Sequence, residues 1–102
     1  MIGVNKDSLP FQSKITYPMI KYIRLCRNMT QANFGEVCRI NQGVLARLET
    51  GDLELTIHYE TKVMDGVRAL NISDLELASV EKIVKLKAQR GINEGGILHD
   101  KD

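Results

Sequence analysis

Residues 30–51 read TQANFGEVCRINQGVLARLETG, and they describe two short helices joined by a tight turn. Thr30 is placed to accept a hydrogen bond from the free amides of a first helical turn, and Met29 before it can pack on Phe34 as a hydrophobic staple. Asn41 repeats the arrangement, with Ile40 stapling to Leu45. One helix therefore stops near Cys38 and another restarts at Gln42. Only Arg39, Ile40 and Asn41 remain for the turn.

The faces of the two helices follow from a rotation of about 100° per residue. Phe34, Val37 and Cys38 form the buried side of the first, with the small Gly35 beside them. In the second, Val44, Leu45, Leu48 and Glu49 gather on one side, and Gln42, Gly43, Ala46, Arg47 and Thr50 take the other. An outer face of that composition is either solvated or a contact surface. Its pairing with a preceding helix across so short a turn favours contact.

This segment resembles the helix-turn-helix of the phage repressor and Cro family, the Xre-type regulators. The resemblance lies in TQ opening the first helix, apolar residues at Phe34, Cys38, Ile40, Leu45 and Leu48, the small Gly35, and LETG closing the second helix. With flanking helices it extends from about Pro18 to Leu86. It implies an all-α, lambda-repressor-like five-helix domain with a central helix-turn-helix that binds a double-stranded DNA operator. Gln31 would then lie on the phosphate backbone and against Gln42, whose amide would read adenine N6 and N7, while Arg47 would fork onto guanine. Gly43 and Ala46 lack bulk and would allow close approach to base edges. With Asn41 and Thr50 these residues complete the expected DNA-contacting set: Gln31, Asn41, Gln42, Gly43, Ala46, Arg47 and Thr50. Arg24 and Glu49 match a pair that bridges the first helix to the end of the reading helix, a structural role.

Three features depart from the family pattern. Arg39 occupies a turn position where glycine is common, at a cost of about 1 kcal/mol if the backbone is left-handed. Residues 52–60 are acidic and apolar where many members carry cations, and the span from Gly51 to Leu70 is a few residues longer than usual.

Length and composition narrow the function classes. The chain has 102 residues and 43% hydrophobic content, enough for one small core and too little for a separate catalytic domain. Three tyrosines, two phenylalanines and no tryptophan leave that core to aliphatic side chains. No apolar run reaches membrane length and residues 1–14 have no secretory pattern, so a cytoplasmic protein without a membrane partner is expected. Cys26 and Cys38 are expected as reduced core residues, and His58 and His99 share no ligand spacing with them, so no metal or cofactor is expected. The formal charge of +1 hides an asymmetry. Residues 1–51 carry +4 and residues 52–102 carry −3, and the basic half holds the helix pair.

The remaining chain divides simply. Residues 1–17 lack a helical period and form an arm, which either packs Leu9 and Phe11, is disordered, or reaches along DNA with Lys6 and Lys14. Pro18 suits the first turn of a helix running to about Asn28, whose Lys21 and Arg27 either meet phosphate or are solvated. Tyr59, Val63, Val67 and Leu70 mark a helix over 57–70, in which Gly66 permits a close contact. Asn71 ends it, and Ser73-Asp74-Leu75-Glu76 is a capping box with Ile72 stapling to Leu77. The last helix runs from Asp74 to about Arg90, with Leu77, Val80, Val84 and Ala88 on one stripe and Ile83 widening it. Its far end either covers the core or pairs with a second copy, and a homodimer would suit a two-fold operator. Gly91 is expected to break the helix and leave 91–102 as a flexible tail, so the helix-turn-helix domain spans 18–90.

The expected function is a sequence-specific, repressor-type transcriptional regulator. Its rival is a modulator of the same fold that binds a partner regulatory protein, which the acidic stretch after Gly51 favours. An enzyme is not expected, because no constellation of residues for chemistry is present.

Overall fold

The computed structural model describes residues 15–101, with side chains through Arg90. Five helices and no strand occur among them: α1 (Tyr17–Leu25), α2 (Gln31–Cys38), α3 (Gln42–Thr50), α4 (Ile57–Ala69) and α5 (Asp74–Lys101). No helix among the described residues is long and apolar enough to cross a membrane. Residues 1–14, including Leu9, Phe11, Lys6 and Lys14 of the expected arm, lie outside the described residues.

One core joins all five helices. Helix α1 packs on α3 and α5, and α2 packs on α3 and α4. At the centre are Met19, Ile20 and Ile23 of α1, Phe34 and Cys38 of α2, Leu45 and Leu48 of α3, and Val63 and Val67 of α4, all essentially inaccessible. Leu77 and Val80 close the core from α5, and Ile15, just before α1, is buried with them. Burial pushes the Cys38 thiol up to about 12, with Asp65 adding to the effect, so it stays protonated. Cys26 is half-buried, and both cysteines are free thiols.

Left-handed residues terminate the first four helices. Asn28 (φ 58°), Arg39 (φ 61°) and Asn71 (φ 56°) each sit where the following amide bonds back five residues: Met29 to Arg24, Ile40 to Gly35, and Ile72 to Val67. This repeated geometry satisfies end carbonyls that no helical amide reaches. Asparagine tolerates the conformation well, whereas at Arg39 it costs about 1 kcal/mol. Gly51 (φ 85°) ends α3 without that cost.

The structure differs from the sequence reading at both ends of the fold. Helix α1 gives way to turn at Cys26 instead of continuing to Asn28, and Leu25 at its end is 44% exposed. Helix α5 continues past Gly91 to Lys101. A mid-helix glycine costs only about 1 kcal/mol, and no proline follows it to stop the helix. Ile83 does not widen the core stripe and Ala88 does not extend it: both are exposed, and contact with the core ends near Val84.

Arg27, open to phosphate in the sequence reading, is instead committed to the fold. Its guanidinium donates to the carbonyls of Leu70 (3.1 Å) and Asn71 (3.0 Å) and forks onto Glu76 at 2.7 and 3.1 Å. Glu76 also receives the Ser73 amide at 2.9 Å, and Ser73 Oγ receives the Glu76 amide at 3.1 Å, the expected capping box. The Arg27 hydrogen bonds, followed by the Ser73 amide, hold the Glu76 carboxyl at about 2, below its ordinary 4.5. A depressed acid stabilises the fold above its unfolded value, and that contribution fades as pH falls from about 4.5 through about 2. Glu76→Gln should therefore melt below the parent at neutral pH, with the gap closing across that window. Thermal melts at stepped pH test this, and a gap that stays constant would show that the clamp is not ionic.

Candidate nucleic-acid interface

The turn between α2 and α3 is built from three locally enforced pieces. Thr30 Oγ1 accepts from the Asn33 amide at 3.0 Å and starts α2. Arg39 reverses the chain, Ile40 is buried at 5% exposure, and Asn41 Oδ1 accepts from the amides of Gly43 (2.8 Å) and Val44 (3.3 Å) to start α3. The helices approach so closely that a Cβ on Gly35 would lie 2.6 Å from the Ile40 carbonyl oxygen. That contact fixes the angle between them.

Helix α3 is anchored along its inner side. Leu45 and Leu48 are fully buried, and Val44 packs on the core. Glu49 forms a two-pronged ion pair with Arg24 of α1, at 2.8 Å to Nε and 3.3 Å to Nη2, and the side chains are only 7% and 13% exposed. Arg24 also donates to the Met29 carbonyl at 3.0 Å. The Glu49 carboxylate thus ties α3 to α1, and Arg24 extends the tie to the loop before α2.

Gln31 joins the same network. Its amide donates to Glu49 Oε1 at 3.0 Å, so α2 too is held to the end of α3. The sequence reading set Gln31 beside Gln42, whereas the structure sets it on Glu49. No hydrogen bond joins Gln31 to Gln42 among the described residues. Gln31 reinforces α3 from behind, a role invisible locally because its partner lies eighteen residues on.

The outer side of α3 carries the other expected residues. Gln42, Gly43, Arg47 and Thr50 are exposed and Ala46 is half-buried. Gln42 and Arg47 lie about 140° apart around the helix and flank the other three. Neither side chain has a hydrogen bond or ion pair among the described residues. Asn41 and Thr50 are partly spoken for. Asn41 spends its carbonyl on the cap, and Thr50 Oγ1 donates to the Arg47 carbonyl at 3.2 Å and accepts from the Asp52 amide at 3.4 Å. Both therefore shape the ends of the surface.

The surroundings are electrostatically mixed. Asp52 and Glu54 are exposed just past α3, in a linker kept close by the Leu53 amide on the Arg47 carbonyl (3.1 Å) and by half-buried Leu53 and Leu55. Near the turn, exposed Arg39 is joined by Lys62, whose Nζ donates to the Arg39 carbonyl at 3.0 Å. The sequence reading did not single out Lys62. Its only local signal is a cation on the polar side of α4.

Comparison with protein-family models, curated proteins and solved structures found no match to this chain.

Proposed function

We propose that this chain is a lambda-repressor-like, sequence-specific DNA-binding regulator that lays α3 in the major groove. The observation that carries this reading is the division of labour on α3. Every large inner side chain is locked into the core or the Arg24–Glu49 pair, while Gln42 and Arg47 project, unpartnered, on either side of Gly43 and Ala46. An amide and a guanidinium are the side chains that match adenine and guanine edges by paired hydrogen bonds. Small residues between them let the helix axis come close. Phosphate contacts would come from the amides opening α2 and α3 and from Arg39 and Lys62 beside the turn.

The test is selection from a random duplex library at two salt concentrations, with the parent and two variants. Enrichment of one motif should weaken steeply as salt rises. Arg47→Ala should lose about 1–3 kcal/mol of discrimination at one base position, and Gln42→Ala a similar amount at a neighbouring one. Unchanged motifs for both variants would remove α3 as the reading helix.

Asp52 and Glu54 beside α3 favour a second reading, in which the same fold docks a partner regulatory protein. Like charge at that edge repels phosphate. Absence of duplex binding at low salt would select this reading.

A further inference from the structure

The side of α5 turned away from the core carries an apolar stripe of its own. Leu75 is 77% exposed, Ile83 41% and Leu86 49%, and with Ser79 they recur at steps of four, four and three residues along one side of the helix. Leu25 of α1 stands beside this stripe, across an open groove floored by Tyr22, Cys26 and Val80. Four of the six large hydrophobic side chains that are exposed among the described residues meet here, so this is the main apolar patch of the domain.

The charges on α5 divide along its length. Between residues 74 and 90, Asp74, Glu76 and Glu81 all precede Lys82, Lys85, Lys87 and Arg90. The boundary falls at the middle of the apolar stripe. Such a helix complements itself only when reversed: an antiparallel copy sets its acidic half against the basic half, whereas a parallel copy opposes like charges. Reversal about the middle of the stripe sets Leu75 level with Leu86 of the second copy and Asp74 level with Lys87, about 3 Å along the axis from Lys85, which shares Asp74's flank of the helix. Lys85 is free to answer, being held only by an exposed 3.6 Å pair with Glu81.

We propose that the α1–α5 face pairs two copies of this chain, with their α5 helices antiparallel about a two-fold axis that crosses near residues 80–82. The interface is isologous: the same stripe serves both sides, and Leu25 of each copy flanks the other's helix. This pairing does not depend on DNA binding.

Sedimentation equilibrium of the full chain, without DNA, tests it. The parent should form a dimer in a concentration-dependent way. Leu75→Glu and Leu86→Glu should each raise the dissociation constant about tenfold or more while leaving the circular dichroism unchanged, since both side chains are exposed in the monomer. Lys85→Glu should weaken the dimer, and adding Asp74→Lys should restore it. A chain that stays monomeric at its highest soluble concentration overturns the proposal, as does a dimer indifferent to both leucine substitutions. Strengthening by Lys85→Glu would overturn the antiparallel arrangement. A monomeric chain that still enriched a single half-site would leave the DNA reading intact, so the two fail separately.

Discussion

Glu49→Ala should lower the unfolding free energy by about 3–5 kcal/mol. Glu49 is the point at which three helices meet through polar groups, since Arg24 of α1 and Gln31 of α2 both donate to its carboxylate. With side-chain exposures of 7% and 13%, neither member of the ion pair is screened as a surface pair would be. Removing the carboxylate strands the Arg24 guanidinium in that setting with only the Met29 carbonyl, and strands the Gln31 amide as well. The domain's whole stability should lie in the range of about 5–15 kcal/mol, so the loss is a large fraction of it. Urea unfolding followed by far-ultraviolet circular dichroism measures the effect directly. The double variant Arg24→Met/Glu49→Leu separates its causes. Apolar replacement of both members removes the stranded charge and should recover most of the stability. A loss below about 1 kcal/mol for Glu49→Ala would place the pair in solvent instead and detach it from the positioning of α3.

What the sequence made legible and what it hid divide by the distance between partners. Thr30, Asn41 and Ser73 each cap amides two or three residues away, and the spacing alone announces them. Phe34 and Cys38 of α2, Leu45 and Leu48 of α3, and Val63 and Val67 of α4 follow from helical period, but Val37, expected on the buried side of α2, is only half-buried and stands outside the core. The Arg24–Glu49 pair was readable only through its resemblance to a known pattern. Arg27 was not readable at all: apart from the Cys26 carbonyl its acceptors lie 43 to 49 residues downstream, and nothing in the nearby sequence marks a clamp rather than a solvated cation. The bond from Gln31 to Glu49 was hidden for the same reason, since its acceptor sits at the far end of α3. The length of α5 was hidden differently. Gly91 resembles a stop signal, but a stop also needs the left-handed turn and back-bonded amides that close α1, α2 and α4.

Gly35→Ala should destabilise the domain by about 2–3 kcal/mol, the upper end for adding a methyl group to a packed site. Helix propensity alone gives the opposite sign, since alanine in a helix interior is worth about 1 kcal/mol over glycine. The geometry decides between them. A Cβ at Gly35 would lie 2.6 Å from the Ile40 carbonyl oxygen, a backbone atom held in place because the Ile40 amide bonds to the Gly35 carbonyl at 2.8 Å. Neither group can yield without opening the turn. Gly43→Ala is the matched control. Its Cβ would meet only the Asn41 side-chain oxygen, at 3.2 Å on the exposed start of α3, and stability should change by no more than about 0.5 kcal/mol. Opening the turn also changes the angle between α2 and α3, so, if the proposed DNA-binding function holds, Gly35→Ala should weaken duplex binding even under conditions where the domain remains folded. Denaturant midpoints for the two variants, with binding of Gly35→Ala measured below its own midpoint, separate stability from orientation. A Gly35→Ala variant more stable than the parent would mean that the turn relaxes freely, and the rigid coupling that lets α2 aim α3 would be lost with it.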